Sequence, residues 1–235
     1  MKKYESEHYV FHYEANSLAE RDISHIAAVQ ENCFQYICYV LQVKPDFKIK
    51  YYLCETAQDV GRIYGDNEPC NGFASMPDTI YAVYNEQVKC IGFHEDAHII
   101  SYTINRPDSP AIREGLAMYF DKKWWGIHNA DWCRYYLEKD LYIPMQSLID
   151  KNAFFGVADT ISYPIVGAFT DYLLSTYGSN VYINFYKQND SLSAVRRIYN
   201  KSLEQLNDEF EQYIMLFRVD EKIQQRMQEL LDMQQ

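Results

Sequence analysis

Apolar residues recur along this chain in two different periods, and the change between them divides it. Residues 8–14 (HYVFHYE) alternate and are rich in aromatic and β-branched types, which predicts a strand. Ile23, Ile26, Ala27, Phe34, Ile37, Cys38 and Leu41 fall at three- and four-residue spacing, which predicts a helix over 17–42. Lys44-Pro45-Asp46 ends it. Residues 47–54 read as a second strand, and 56–64 as a short helix opened by Thr56 and closed by Gly65. Asn71-Gly72 marks a turn. Residues 79–84 (TIYAVY) read as a third strand, with Ile80, Ala82 and Tyr84 on one face and Tyr81 and Val83 on the other.

From about residue 88 the helical period takes over. It predicts helices at 89–104, from Pro110 to about Asp121 with Ser109 as cap, and at 130–139, 161–177, 179–187, 201–217 and 220–233. The expected fold class is α+β. An α/β lobe over 1–105 is followed by an all-helical lobe over 106–235, with the 89–104 helix between their main bodies.

Composition narrows the function. The charge is 22 − 33 = −11, so the chain lacks the basic surface that nucleic acid or anionic lipid requires. No apolar run approaches the roughly 18 residues of a membrane span. The basic start at Met1-Lys2-Lys3 is followed by no apolar stretch, which predicts a cytoplasmic protein, with export open if a leader was trimmed. The six cysteines include no pair with a two-residue gap and read as small buried hydrophobes. The 22 tyrosines suit clefts and cores equally and decide nothing.

The chemistry concentrates in His94-Glu95-Asp96-Ala97-His98, an H-E-x-x-H sequence in a helical stretch. At about 100° per residue the two imidazoles lie on one face and can converge on one Zn²⁺. Glu95, on the flank, is placed to take a proton from a water that the metal activates. Alone, the pattern also fits two hydrogen-bonded core histidines. Fifteen residues separate His98 from Glu114, in Glu114-Gly115-Leu116-Ala117. Two histidines and a glutamate form a standard catalytic zinc set that leaves one position for water. Gly115 would let the Glu114 helix approach the histidine helix closely. A further carboxylate should orient a ligand imidazole, and Asp121, seven residues after Glu114, is the candidate. His8, His12, His25 and His128 lack ligand spacing.

His94-Glu95-x-x-His98 followed by Glu114-Gly115-Leu116-Ala117 resembles the gluzincin metallopeptidases, in particular the peptidase-MA-like group related to the M1 aminopeptidases. The likeness runs over roughly residues 45–215. It implies a zincin-like fold and a hydrolase that cleaves peptide bonds, a zinc-dependent protease with Glu95 as general base and a peptide or protein substrate. Thr79–Tyr84 is similar to the family's substrate-pairing edge strand, so the main chain of Ile80, Tyr81, Ala82, Val83 and Tyr84 would align the peptide. The stretch from Tyr163 to Gly178 resembles the helix whose tyrosine stabilises the oxyanion. That role falls to Tyr163, with Tyr119 and Tyr102 as alternatives. The region Gly72–Asp78 has no glutamate where the aminopeptidases bind the free amine, which leaves endopeptidase, another exopeptidase or a lost activity open. The rival reading is an inactive zincin-like domain that binds a peptide or protein. The intact His94, Glu95, His98 and Glu114 favour the enzyme.

Overall fold

The computed structural model describes residues 1–233. The chain is mixed α/β and divides into two compact units, Met1–Ile104 and Asn105–Gln235.

The first unit is built on a five-stranded sheet. Its strands are β1 (Lys2–Glu5), β2 (Tyr9–Tyr13), β3 (Ile49–Cys54), β4 (Gly72–Ser75) and β5 (Thr79–Val83), in the spatial order β1-β2-β3-β5-β4. The three central strands are parallel, and the two outer ones run antiparallel to their neighbours. Three helices complete the unit: α1 (Leu18–Leu41), α2 (Ala57–Tyr64) and α3 (His94–Ser101). Strand alternation sends Tyr9, Phe11, Tyr13, Ile49, Tyr51, Leu53, Ile80 and Ala82 into one core, which meets the apolar stripe of α1. Ser17 caps α1 by accepting from the Glu20 N–H, and Thr56 caps α2 by accepting from Asp59.

Two features of this unit correct the sequence reading. The strand over 79–84 is not an edge. β5 lies between β3 and β4 and is hydrogen-bonded on both sides, so the main chain of Ile80–Tyr84 has no free side for a peptide. The edge is β4, hidden in the sequence because Gly-Phe-Ala-Ser carries so little β-branched or apolar signal beside the Asn71-Gly72 turn. Nor does a helix begin at 89. Tyr84 bridges Lys89, and the Cys90 N–H donates to the Val83 carbonyl at 2.8 Å, so this stretch is folded against the sheet until Gly92 releases it.

The sheet face opposite α1 carries a cross-strand row. His12, Tyr52, Tyr81 and Phe73 are directly opposed on β2, β3, β5 and β4. Their rings stack in sequence at centroid separations of 4.5, 4.9 and 5.1 Å, and Tyr64 of α2 meets Phe73 edge-on. Burial in this row, followed by the nearby Lys3 and Lys50 ammoniums, holds the His12 imidazole below its usual pKa. The folded state therefore binds fewer protons here than the unfolded chain. This contribution is present above about pH 6.5 and is lost as pH falls through the depressed value. His12→Phe keeps the stack and removes the titration. Its melting temperature should fall less between pH 7.5 and pH 5 than that of wild type; an unchanged difference would refute the role given to His12.

The second unit is helical apart from one hairpin. Its elements are α4 (Pro110–Asp121), β6 (Lys123–Trp124), β7 (Ile127–His128), α5 (Asn129–Glu138), α6 (Met145–Leu148), α7 (Lys151–Phe155), α8 (Asp159–Tyr177), α9 (Ser179–Tyr186), α10 (Ser191–Tyr199), α11 (Leu203–Ile214) and α12 (Glu221–Asp232). Trp125 and Gly126, both at positive φ, turn the hairpin. The sequence reading lacks this hairpin and α6, α7 and α10; the hairpin, α6 and α7 are too short for a period to declare itself. Among the described residues no helix is long and apolar enough to cross a membrane.

The central pairing here is α4 against α8. A Cβ on Gly115 would sit 2.6 Å from Thr170 Oγ1 and 2.9 Å from the Val166 carbonyl oxygen. One on Gly167 would sit 2.6 Å from both Met118 Cβ and Asn129 Nδ2. Each helix thus uses a glycine to admit the other, so the close approach that Gly115 permits is to α8 rather than to the histidine helix. Gly115→Ala should destabilise the protein by about 1–3 kcal/mol, because the clash is with backbone. Urea unfolding measures this, and a loss below 0.5 kcal/mol, well under that range, would contradict it.

Candidate metal centre

α3 is eight residues long, and His94 is its first. His98 lies one turn later and is buried, so both imidazoles leave the same face of one short helix. Their ring centroids are 5.1 Å apart, with planes at 81°. The Tyr102 ring lies 5.7 Å from that of His98, with its hydroxyl 3.4 Å from Nδ1. Ile99 and Ile100, both fully buried, anchor the helix, whereas Ile91 and Phe93 are only half-buried.

Glu95 turns towards the edge strand. A Cβ on Gly72 would lie 3.5 Å from Glu95 Oε1, in ordinary contact, and 2.9 Å from Cys90 Sγ, so the bare glycine makes room for that thiol. The neighbouring Cys70 thiol donates to the Gly72 carbonyl at 3.2 Å. Burial foremost, and then the Glu95 charge, raises the Cys70 pKa even against that hydrogen bond. The Cys70 thiol sits in an electronegative setting that disfavours thiolate.

Asp96 faces the opposite way, into the core, with no exposure. Its Oδ2 is hydrogen-bonded to the Tyr9 hydroxyl and accepts from Gln30 Nε2 at 3.0 Å, while Oδ1 has no partner. Burial pushes its carboxyl well above the usual range, although the Tyr9 and Gln30 hydrogen bonds pull it down. The sequence reading left Asp96 as an unspecified position of H-E-x-x-H and did not reach Gln30. A signal was present for Gln30: it interrupts the α1 stripe of Ile26, Ala27, Phe34 and Ile37 at a position where the spacing calls for an apolar side chain.

In the second unit, Glu114 is half-buried in α4, and Asp121 is the last residue of that helix, two turns on. Tyr163 is in the second turn of α8. Trp124 stacks on its ring at 5.3 Å, and Phe154 lies at 5.6 Å on a tilt of 49°. Asp159, one turn before Tyr163, has its carboxyl raised by burial and then by the charge of Glu114. Trp124 and Asp159 are further additions to the residues read from sequence. Tyr119 sits beneath the Lys122 ammonium, 3.5 Å from its ring centroid, which commits one ring face to a cation.

His8 is hydrogen-bonded, as its position predicts. Its Nδ1 lies 2.6 Å from Glu31 Oε2, and its ring stacks on Phe34. Glu7, His8 and Glu31 together bring three ligand-type atoms within 4.8 Å of one another. There Glu31 also accepts from the Ser6 hydroxyl and the His8 N–H, so the cluster is satisfied as a hydrogen-bonded cap on β2. His25 and His128 are exposed.

No family model matches this sequence, and no curated protein matches it.

Proposed function

We propose that this chain is a zinc-dependent peptidase of gluzincin type, in which His94, His98 and Glu114 hold the ion. The observation that carries this reading is the layout of α3: two imidazoles one turn apart on the same face, with Glu95 on the flank beside the edge strand. The donor set fits the metal. Two neutral imidazoles and a carboxylate suit Zn²⁺, and the three side chains group as candidate ligands for one ion. In a zincin-like fold α3 is the active-site helix.

Bound zinc supplies Lewis acidity that brings the pKa of water from 15.7 to about 7. The remaining work belongs to the chain. Glu95 accepts a proton from the attacking water and returns it to the leaving amine. Tyr163, steadied by Trp124, donates its phenolic proton to the oxygen that gains charge as the carbonyl becomes tetrahedral. Asp121 accepts from a ligand imidazole and fixes its tautomer. The peptide adds as a further strand to the outer side of β4, where the main chain of Gly72–Ser75 has no strand neighbour.

Elemental mass spectrometry of purified, zinc-reconstituted protein should find one zinc per chain, lost or weakened in His98→Ala and Glu114→Ala. Glu95→Gln should keep the zinc and lose about 10²–10⁴-fold in turnover of a peptide substrate. Absence of zinc after reconstitution would end the metal reading and direct attention to partner binding. Full activity of Glu95→Gln would end the general-base mechanism.

A further inference from the structure

We propose that Gln30 is a positioning residue for the histidine pair, acting through the residues on either side of His94. The inference rests on the reading that His94 and His98 bind a metal.

The start of α3 has no conventional restraint. His94 is the first helical residue, and Phe93 at the cap position offers no side-chain hydrogen bond to the free N–H groups. A helix end of this kind frays, and here the fraying residue is a candidate ligand. What holds it comes from α1. Gln30 Oε1 accepts from the Gly92 N–H at 2.7 Å, and Gln30 Nε2 donates to the Gly92 carbonyl at 3.1 Å. The carboxamide thus pairs with both main-chain groups of Gly92 as a neighbouring strand would. The same nitrogen donates to Asp96 Oδ2 at 3.0 Å. One side chain therefore grips the backbone two residues before His94 and the side chain two residues after it.

Several observations make this grip directional rather than mere filling. The amide cannot be reversed, because reversal would set its NH₂ against the Gly92 N–H and its oxygen against a carbonyl and a carboxyl. Gln30 has no exposure, so its bonds do not exchange with water. Tyr9 donates to the Gln30 carbonyl at 3.0 Å and also bonds Asp96, which ties β2 into the same set. Gly92 itself sits at φ +132, a conformation side chains rarely adopt and the missing Cβ permits. Its other side is fixed to the sheet, since the Tyr51 hydroxyl donates to the Cys90 carbonyl at 3.1 Å. An apolar residue would fill this core position without the cost of burying an amide. The amide adds a fixed direction for the chain entering α3.

The test compares two variants on α1 of the full-length protein. Gln30→Met keeps the volume and removes the carboxamide's hydrogen bonds to Gly92 and Asp96, while the Tyr9 bond to the Gln30 main-chain carbonyl stays. Ile37→Ala, at a fully buried position of the same helix, lowers stability without touching the link. Melting of the metal-free proteins places the two on one stability scale. Zinc affinity is read by competition with a chromophoric chelator, and site geometry by the visible spectrum of the Co²⁺-loaded protein. Gln30→Met should weaken zinc binding about 10–100-fold and alter the cobalt bands. Ile37→Ala should leave affinity within about threefold and the bands unchanged, well short of the loss expected when a supporting contact is removed. Wild-type affinity and spectrum in Gln30→Met, or an equal loss in Ile37→Ala, would overturn the positioning role while leaving the metal site standing. A wild-type protein that takes up neither zinc nor cobalt would overturn the site reading itself, and this inference with it.

Discussion

Beneath α3 a carboxamide and a carboxyl lie side by side without access to water, and the first unit is arranged around the hydrogen bonds they make. An unbonded polar group in such a place costs several kcal/mol. Gln30 therefore binds α1 to the Gly92 turn, Asp96 binds α3 to Gln30, and Tyr9 binds the central sheet to both. These are three separate segments of chain, and none can shift alone without stranding a donor or acceptor. The eight-residue helix with the two histidines is held by this constraint more than by its own propensity, since helices this short are not stable by themselves.

The second unit solves a different problem by removing atoms. Gly115 and Gly167 let α4 and α8 approach at backbone distance, and the space is then filled by Thr170, Met118 and Asn129. Asn129 also donates to the Met118 carbonyl at 2.9 Å, which pins α5 to α4. Glu114 stands next to Gly115, so its backbone belongs to the most closely packed pairing of this unit. Tyr163 belongs to the other helix of the pair and is further confined by Trp124 and Phe154. The side chains proposed for catalysis thus stand on rigid elements rather than on loops, as their chemistry requires.

Much of this was legible in the sequence wherever one period or one residue type dominates. The long α1 stripe, the strands around Tyr9–Tyr13 and Ile49–Cys54, and the cap at Thr56 follow from patterning and local chemistry. His94, Glu95, His98 and Glu114 could be picked out because few residue types bind metal and their spacing is restrictive. The edge of the sheet could not. Four residues of Gly, Phe, Ala and Ser become a strand only because β5 offers a partner, and that pairing is a tertiary fact. The start of α3 is likewise set by contacts from Val83, Tyr84 and Gln30 rather than by any local stop signal. Asp96 and Gln30 escaped for a shared reason: a buried polar side chain has no meaning until its partner, distant in sequence, is known.

The stack of His12, Tyr52, Tyr81 and Phe73 bears on how this protein behaves among its neighbours. An uncovered sheet face rich in aromatic rings is ordinarily an adhesive surface. Rings held 4.5–5.1 Å apart and within 24° of parallel, however, have already spent their flat faces on one another. What remains towards water is a line of ring edges, an imidazole and two phenolic hydroxyls, all easily hydrated. The face gains the cohesion of aromatic contact without presenting a flat platform to another molecule, which leaves the adjacent strand edge as the place where an incoming chain would find unpaired hydrogen-bonding groups.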